Sequence, residues 1–554
     1  MPSTLYLNGP IYSSASPAAD AMLVTDGLVE WVGDSRSAPR PAGASIVDLD
    51  GRFVGPGFVD SHTHVIGLGR TRVEVDLRHV RSAGELLDAL AARAAGLPET
   101  ELVRACGWDE TLWADPALPT LAQLERAAGG RAVYAARVDS HSALVTRAAY
   151  AYAQMQVPLD AEPDEPWLID GQARTDMAAV VNALSSREAA EAARLGLDEF
   201  ARTGHVAVVE NAAPHLGGVS DVVTLKQASL DAASPEVFVL WGELVDTAEA
   251  ALARVAEMEG GLDGGDVDPW VLGLAGDLNV DGSIGSRTAA LRQPYDDDPA
   301  SGTGIAYLSP EQVRDHFVAT TNARLQGGFH VIGDRGMDIA LDGAQAAVEI
   351  VGARAFAARG HRLEHAEMTD DDALARMRDL ALTSSSQPGF DAAWGREGEL
   401  YGVRLGHRRL GMNRFATMAR LGVPLAFGSD APVLLPDPWW QVAAAMNHSN
   451  PAESLTARGA FTAHTRGAWR ALNRHRSGGP RHGEGQLIPG APASFAVWEI
   501  EELAIQIPDP TISAWSTDPR ARVPMLPALD TEVPPRAVRT VVNGDVAFDS
   551  GDLA

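Results

Sequence analysis

The 554-residue chain contains one lysine, Lys226, against 44 arginines, and one cysteine, Cys106. A single cysteine cannot form a disulfide within the chain, which is typical of proteins of the reducing cytoplasm. No apolar run approaches the roughly 20 residues of a membrane-spanning helix. The first residues, MPSTLYLNGPIYSS, lack the basic and apolar segments of a secretion signal. We therefore expect a cytoplasmic protein with no membrane partner.

Basic charge is scarce relative to acidic charge. Lysine and arginine together number 45, aspartate and glutamate 74, and the net charge is −29. Such a charge opposes binding to nucleic acid or to anionic lipid, so the expected partner is a small molecule. Hydrophobic residues make up 45% and charged residues 21%, as in ordinary globular proteins. The oligomeric state stays open, with a homodimer as the default expectation.

The middle of the chain contains eight apolar runs that end in polar residues or glycine. They lie near 56–62, 204–210, 236–244, 270–278, 327–332, 361–365, 380–386 and 423–429. Helix-like stretches separate most of them, which predicts an α/β fold, a distorted (β/α)8 TIM-like barrel over residues 56–484. About 140 residues separate the first run from the second, so an inserted α/β subdomain is expected at about 70–185.

The two ends of the chain share a different pattern. Short strand-like segments separated by Gly, Asn and Asp occur in residues 1–55, for example STLYLNG and LVEWVGD. The same pattern returns in residues 485–554, for example SFAVWEI and RAVRTVVNGDVAF. We expect these two segments to combine into one β-sandwich domain.

Polar residues end six of the eight runs. Active sites of such barrels lie at the carboxyl ends of the strands, so these residues are candidates for one site. They are His62 and His64 after the first run, Glu210 after the second, Asp277 after the fourth, His330 after the fifth, His365 after the sixth and Asp430 after the eighth. Residues i and i+2 of a strand point to the same side, so His62 and His64 can act together. Imidazole and carboxylate groups favour Zn²⁺ or a similar divalent ion.

Four stretches that contain the four histidines and Asp430 resemble the amidohydrolase superfamily of metal-dependent hydrolases. They are GFVDSHTH, GFHVIGD, RLEHAEM and FGSDAPV. The chain is most similar to the large third family, whose members carry a long insertion after the first strand. The resemblance spans nearly the whole chain and includes RVDSHSAL at 137–144, DGSIGSRTAAL at 281–291 and LTARGAFTAHTRGAW at 455–469. It implies a distorted barrel with a β-sandwich from both termini. It also implies the metal ligands His62, His64, His330, His365 and Asp430.

The resemblance breaks down at the fourth strand. Two-metal members of the superfamily place a lysine four residues before the Asp-Gly of DGS, and this lysine is carboxylated and bridges the ions. Here that position is Asp277, and Lys226 lies in the helix-like stretch VVTLKQASL, away from any strand end. No carboxylated lysine is therefore expected. Either one metal is bound, or two are bound and Asp277 or Glu210 supplies a shorter bridge between them. If these residues are not ligands, Asp277 hydrogen-bonds a ligating histidine, and Glu210 contacts the substrate or a ligand.

The expected activity is hydrolysis of a non-peptide carbon–nitrogen bond of amide type. A zinc-type ion lowers the pKa of bound water from about 15.7 to about 7. The resemblance implies that Asp430 takes the proton of that water and passes it to the departing nitrogen. The alternatives are a deaminase, an ester or lactone hydrolase, and a non-catalytic binding or regulatory homologue. Deaminases of the superfamily carry a glutamate three residues after the fifth-strand histidine, and the chain has Gly333 there.

Two further stretches are expected to contact substrate. Arg137 and His141 belong to the predicted insertion, and Asp281 and Arg287 to the loop after the fourth strand. Loops at the carboxyl ends of barrel strands form the walls of substrate sites in this architecture. All four residues are therefore candidates for substrate binding; the alternatives are structural roles for Arg137 and His141 and a backbone-ordering role for Asp281 and Arg287.

Overall fold

The computed structural model describes residues 3–158, 162–262, 267–474, 476, 479–504 and 524–553. Its central element is an eight-stranded parallel sheet in chain order. The strands are Phe58–Thr63, His205–Ala212, Glu236–Trp241, Val271–Leu274, Gln326–Val331, Arg362–His365, Thr383–Ser386 and Leu425–Phe427. Each strand overlaps one of the eight apolar runs, and the predicted barrel is confirmed.

The barrel is nearly closed by hydrogen bonds just beyond the first and last strands. The backbone N–H of Asp430 donates to the carbonyl of His62 over 2.8 Å, and that of His64 donates to the carbonyl of Ala431 over 2.8 Å. These bonds bring residues that follow the eighth strand directly beside those that end the first. The two ends of the barrel sheet therefore contribute side chains to the same place.

Helices surround the barrel and the insertion, and most of them bury one apolar face. They are Val65–Arg70, Ala83–Ala95, Leu121–Ala127, Arg147–Tyr152, Gly171–Val181, Ser186–Arg202, Val219–Asp231, Ala248–Glu259, Pro310–Asn322, Asp334–Val351, Ala353–Ala357, Asp371–Asp379, Pro388–Trp394, Leu400–Leu405, Phe415–Leu421, Pro438–Met446, Ala457–Thr462 and Ala468–Ala471, with a π-helical turn at Ala463–Gly467. The helices that follow the barrel strands pack against the outside of the barrel.

The helix that follows His64 packs closely against Ser186–Arg202. A Cβ atom on Gly69 would lie 1.8 Å from the carbonyl oxygen of Ala192, and one on Gly196 would lie 2.2 Å from that of Val65. Glycine is therefore required at both positions for the two backbones to approach. This contact anchors the short helix Val65–Arg70 directly beside the first strand end.

The segment between these two helices contains a second sheet. Its strands are Val75–Asp76, Val103–Trp108, Val133–Arg137, Ser142–Val145 and Leu168–Asp170. The first three are parallel and the last two are antiparallel to their neighbours. The sheet and its helices share a buried core that includes Leu86, Leu90, Trp108 and Leu144. This is an inserted α/β subdomain after the first barrel strand.

Two four-stranded sheets pack as a sandwich. The first contains Ser3–Leu7, Ala21–Thr25, Leu28–Gly33 and Ser45–Asp48, and the second Phe53–Pro56, Phe495–Glu499, Arg536–Val542 and Asp545–Asp549. In the second sheet Phe53–Pro56 pairs antiparallel with Phe495–Glu499, so both ends of the chain contribute. Tyr6, Met22 and Val541 belong to their common core. A short pair, Leu503–Ala504 with Leu526–Pro527, lies nearby in the chain, and residues 505–523 of the predicted C-terminal segment lie outside the described residues.

None of the described helices combines the length and apolar character that crossing a bilayer requires.

Candidate metal centre

Five side chains meet at the carboxyl ends of four barrel strands. They form the strand-end cluster: His62, His64, Asp277, His365 and Asp430. Two overlapping sets have ligand atoms within 4.8 Å of one another, namely His62 with Asp277 and His365, and His62 with His64 and Asp430. The Asp277 and Asp430 carboxylates lie 3.4 Å from Nε2 of His62 and 3.3 and 3.1 Å from Nε2 of His64. Three imidazoles and two carboxylates at this spacing fit a divalent metal ion.

His62 is oriented by a buried carboxylate behind it. Its Nδ1 lies 2.9 Å from Oε2 of Glu364, and Arg362 binds both oxygens of that carboxylate. Burial alone would raise the pKa of Glu364, but Arg362 and His62 outweigh it and hold the pKa at about 2. The ionised Glu364 accepts a hydrogen bond from Nδ1–H, so Nε2 of His62 is directed into the cluster. Within the described chain, Nε2 of His62 and Oδ1 of Asp277 are buried without a hydrogen bond, as expected of metal ligands.

His365 is oriented in a similar way by an amide. Its Nδ1 lies 2.8 Å from Oε1 of Gln387, which follows the seventh strand, so Nε2 is the nitrogen left for the cluster. The backbone φ is 66° at His365 and 56° at Asp430. Residues other than glycine rarely adopt this left-handed region, and such positions concentrate at functional sites. Here they coincide with two members of the cluster.

Asp430 is placed beside the histidines by a second buried carboxylate. Asp60 accepts hydrogen bonds from the backbone N–H groups of His62 and Ser429, at 3.2 and 3.0 Å, and so joins the ends of the first and eighth strands. Burial alone would raise the pKa of Asp430, but His62 and His64 lower it well below its usual range. Asp430 is therefore ionised.

Two residues predicted as ligands lie beside the cluster. Glu210 is buried at the cavity wall, accepts a hydrogen bond from the backbone N–H of Val65, and belongs to neither set. Burial raises its pKa to about 7. His330 also belongs to neither set, and its ring centroid lies 4.5 Å from that of His365 and 4.9 Å from that of His141.

Lys226 lies away from the carboxyl ends of the barrel strands. It belongs to the helix Val219–Asp231, and its Nζ donates to the carbonyl of Val237, the second residue of the third barrel strand, over 3.2 Å. Val237 is at the amino end of the strand, whereas the cluster is at the carboxyl end. Burial lowers the pKa of Lys226 to about 8. The position of the bridging lysine is taken by Asp277, inside the cluster.

Arg137, predicted to bind substrate, lines the side cavity and also forms ion pairs within the protein. Its guanidinium contacts Asp109 at 2.9 Å, Glu110 at 2.8 Å and Asp139 at 2.9 Å, and the side chain is 2% exposed. Asp139 in turn accepts hydrogen bonds from the hydroxyls of Ser283 and Ser286. Arg137 therefore joins the insertion to the loop after the fourth barrel strand, and its donors are used within the protein.

Asp281 and Arg287, also predicted to bind substrate, have partners within the protein. Asp281 is fully buried and accepts three backbone hydrogen bonds, from Ala290 at 2.8 Å, Ile332 at 2.9 Å and Gly333 at 2.8 Å. It therefore orders the loop beside the fifth strand. Arg287 pairs with Asp297 at 2.6 Å and lines a different cleft, which Trp113 also lines.

Two adjoining cavities open on the cluster. The main cavity, about 1180 Å³ including its mouth, is lined by cluster residues and by the insertion. The side cavity, about 410 Å³, is lined by Phe390, Trp394, Leu400 and Tyr401. Both contact His365 and Asp430, and His141 lines both, as expected of a residue near substrate.

Three important residues are absent from the sequence-based prediction. Gln387 ends a barrel strand, so the same rule that selected His365 would have found it. Glu364 stands immediately before His365, and the rule selected only its neighbour. Arg174 lies in the insertion, about 110 residues along the chain from His64, and no local motif marks it.

Comparison with known proteins agrees with this architecture. The profile described as the amidohydrolase family matches residues 45–548. N-substituted formamide deformylase of Arthrobacter pascens is 25% identical over 516 residues, which cover 86% of this chain and 90% of that protein. The protein LONG AFTER FAR-RED 3 of Arabidopsis thaliana is 25% identical over 534 residues, covering 89% and 86%.

A solved structure is similar over the same extent. It is an uncharacterized metal-dependent hydrolase from Pyrococcus furiosus, 25% identical, with a TM-score of 0.67. The similarity covers 89% of this chain and 98% of that chain. The barrel, sandwich and insertion described above therefore lie almost entirely within the compared region.

Proposed function

The chain belongs to the amidohydrolase family and is a hydrolase, and from this premise we propose that it cleaves a non-peptide carbon–nitrogen bond of amide type in a small molecule. The observation that carries the proposal is the convergence of three imidazoles and two carboxylates on one point, at the junction of two cavities. The similarity to an N-substituted formamide deformylase supports an amide as the bond.

We propose zinc as the ion and one ion per chain. His62, His64, Asp277, His365 and Asp430 would hold it. Both three-residue sets use His62, and Nδ1 of His62 is occupied by Glu364, so both sets depend on the same Nε2 atom. One imidazole nitrogen binds one ion, which makes the two sets parts of one centre. Histidine nitrogen and aspartate oxygen are common zinc ligands.

A zinc-type ion supplies a water of lowered pKa and polarises a carbonyl oxygen. Asp430 is a carboxylate beside His62 and His64 and lines both cavities, so it is the base that would take a proton from the attacking water. The same carboxyl group then donates this proton to the departing nitrogen. Burial lowers the pKa of His141 to about 4, despite the neighbouring Asp139, so its imidazole is neutral at pH 7 and offers an N–H to the carbonyl oxygen.

The test is hydrolysis by zinc-loaded protein of paired substrates that differ only in the bond. N-benzylformamide is compared with benzyl formate, and N-benzoylglycine with its O-linked ester analogue. We expect turnover of at least one amide, loss of turnover after chelation and recovery with added zinc. Turnover of both esters without turnover of either amide would contradict the amide assignment, and no turnover of any of the four would contradict the hydrolase mechanism at this cluster.

A further inference from the structure

An unpaired cation lines the main cavity. Arg174, on the helix Gly171–Val181 of the insertion, is 5% exposed. Among the described residues, no carboxylate oxygen lies within 4.0 Å of its guanidinium, and its buried Nε has no hydrogen-bond partner. Buried charges are normally paired, because removing a charge from water is costly. Arg174 therefore has a charge and donors available for a ligand.

The two other arginines that line the main cavity have partners within the protein, and one of them, Arg104, donates from Nε to the carbonyl of Val181 over 2.7 Å. Arg70 lines the same cavity and pairs with Glu74 at 2.6 Å. Arg137 contacts three carboxylates. Asp170 precedes Arg174 by four residues, the spacing at which ion pairs form on helices. Its carboxylate oxygens nevertheless lie more than 4.0 Å from the guanidinium nitrogens of Arg174.

Arg174 is close to residues that face the cluster. Burial is the main cause of the low pKa values of His141 and His215, and the charge of Arg174 lowers both further. Both histidines line the main cavity, and the ring of His141 lies 4.9 Å from that of His330. A ligand that reaches the cluster through the main cavity therefore passes within the field of Arg174.

We propose that Arg174 binds a carboxylate of the substrate, which makes it a specificity-determining residue of this hydrolase. The inference rests on the proposed function and names its substrate class, an amide that carries a carboxylate. A guanidinium presents two parallel N–H donors that match a carboxylate. A phosphate dianion fits less well, because Asp221, Asp277 and Asp430 line the same cavity.

The side cavity defines the other end of this substrate. Phe390, Trp394 and Leu400 give it an apolar wall, whereas Arg174 lines the main cavity and not this one. An amide held at the cluster can therefore place its carboxylate towards Arg174 and an aryl or alkyl group in the side cavity. N-benzoylglycine has this arrangement. Its hydrolysis breaks the bond between the benzoyl carbon and nitrogen, adds the hydroxyl of water to carbon and its proton to nitrogen, and releases benzoate and glycine.

The experiment measures binding without turnover. The probes are 3-benzoylpropanoate, in which CH2 replaces the amide N–H of N-benzoylglycine, and its neutral analogue 3-benzoylpropanamide. Their dissociation constants are determined by calorimetry for zinc-loaded wild-type, R174M, R174K and R126M proteins. Arg126 is exposed in the same insertion and serves as the charge-matched control. Circular dichroism and melting temperature establish that each variant is folded.

We expect wild-type and R126M proteins to prefer the carboxylate by about 10- to 100-fold, the range of a charged hydrogen bond. R174M should lose the preference and bind the neutral probe as before, and R174K should retain part of it. Equal affinity of the wild-type protein for the two probes, absence of binding by either probe, or a preference retained in R174M would overturn the proposal. Tighter binding of inorganic phosphate than of 3-benzoylpropanoate would also overturn it.

These results separate the two proposals. If the carboxylate preference depends on Arg174 while no amide or ester is hydrolysed, the binding assignment stands and the hydrolytic mechanism fails. If N-benzoylglycine and N-benzoylglycinamide are hydrolysed with equal KM by wild-type and R174M proteins, the hydrolase stands and the assignment of Arg174 fails. If R174M does not fold, the wild-type comparison and R174K decide.

Discussion

Nδ1 of His62 lies 2.9 Å from Oε2 of Glu364, and both residues are fully buried. Glu364 is also bound by Arg362, so the carboxylate cannot rotate away from the imidazole. Nε2 of His62 is the one nitrogen common to both sets of the strand-end cluster. The Glu364–His62 pair therefore determines where the centre of the cluster lies, although Glu364 itself does not reach the cavity.

The first prediction concerns this pair. E364Q should lower zinc affinity about 10- to 100-fold, because a neutral amide holds the imidazole less firmly and makes it less basic. Competition with a chelator of known affinity measures the effect. E453Q is the control, since Glu453 is also a buried glutamate bonded to an arginine, Arg414. Equal zinc affinity in E364Q and wild-type protein would remove Glu364 from the assembly of the site.

The second prediction concerns the number of ions. Zinc-loaded wild-type protein should contain one ion per chain by elemental analysis. D277A should lose affinity because a carboxylate of the cluster is removed, whereas E210Q should keep the wild-type ratio because Glu210 belongs to neither set. A ratio of two that falls to one in E210Q would instead make Glu210 a bridging ligand.

The third prediction concerns proton transfer. D430N should reduce kcat by about 100- to 10,000-fold at saturating zinc, because an amide cannot accept the proton of the attacking water. Zinc content is measured in the same samples, so that loss of the ion and loss of the base are separated. D437N is the control, because Asp437 lies seven residues further along and caps the next helix, a role that asparagine also fills. Wild-type turnover in fully loaded D430N would exclude Asp430 as the base.

The fourth prediction concerns the single lysine. Burial lowers the pKa of Lys226 to about 8, below its usual 10.5, so the unfolded chain binds more protons between these two values. The lysine therefore contributes a rise in stability from pH 8 towards pH 10.5, and its cost is greatest below pH 8. K226M should remove this rise and be more stable at pH 7 by up to about 3 kcal/mol.

Urea unfolding at pH 7 and pH 10 measures the difference between K226M and wild-type protein. K226M should also keep full zinc content and full activity, because Lys226 contacts the amino end of a barrel strand. Loss of the bound ion in K226M would show that the lysine acts at the metal centre after all. A pH dependence identical in both proteins would contradict the lowered pKa.

The eight barrel strands were predictable because each is a buried parallel strand, which requires a continuous apolar run. The expectation that active-site residues follow the barrel strands also identified His62, His64, His365 and Asp430. A polar residue directly after a buried strand lies at the carboxyl end of the barrel. The same rule was too coarse for Asp281, which also follows the fourth strand. Its carboxylate is bound by three backbone N–H groups from two other segments, a contact that no local pattern reveals.

Arg137 and Arg174 show more clearly that sequence patterns do not predict the partners of a buried side chain. Both are arginines of the insertion, and both are buried. Arg137 lines the side cavity and contacts three carboxylates, whereas Arg174 lines the main cavity with no carboxylate within 4.0 Å among the described residues, and that difference arises from residues brought together across the fold. Sequence position alone does not distinguish these two environments.

The sequence by itself determined the barrel, its long insertion, the histidine and aspartate residues at the strand ends, and the absence of a lysine from the fourth strand. These follow from local apolar runs and from residue type. Only the tertiary structure decided which of those side chains converge, which nitrogen of His62 is free, and that Arg174 lines the main cavity with no carboxylate within 4.0 Å among the described residues. Hydrogen bonds and ion pairs act over about 3 Å, and groups that meet at this distance are brought together here from positions hundreds of residues apart in the chain.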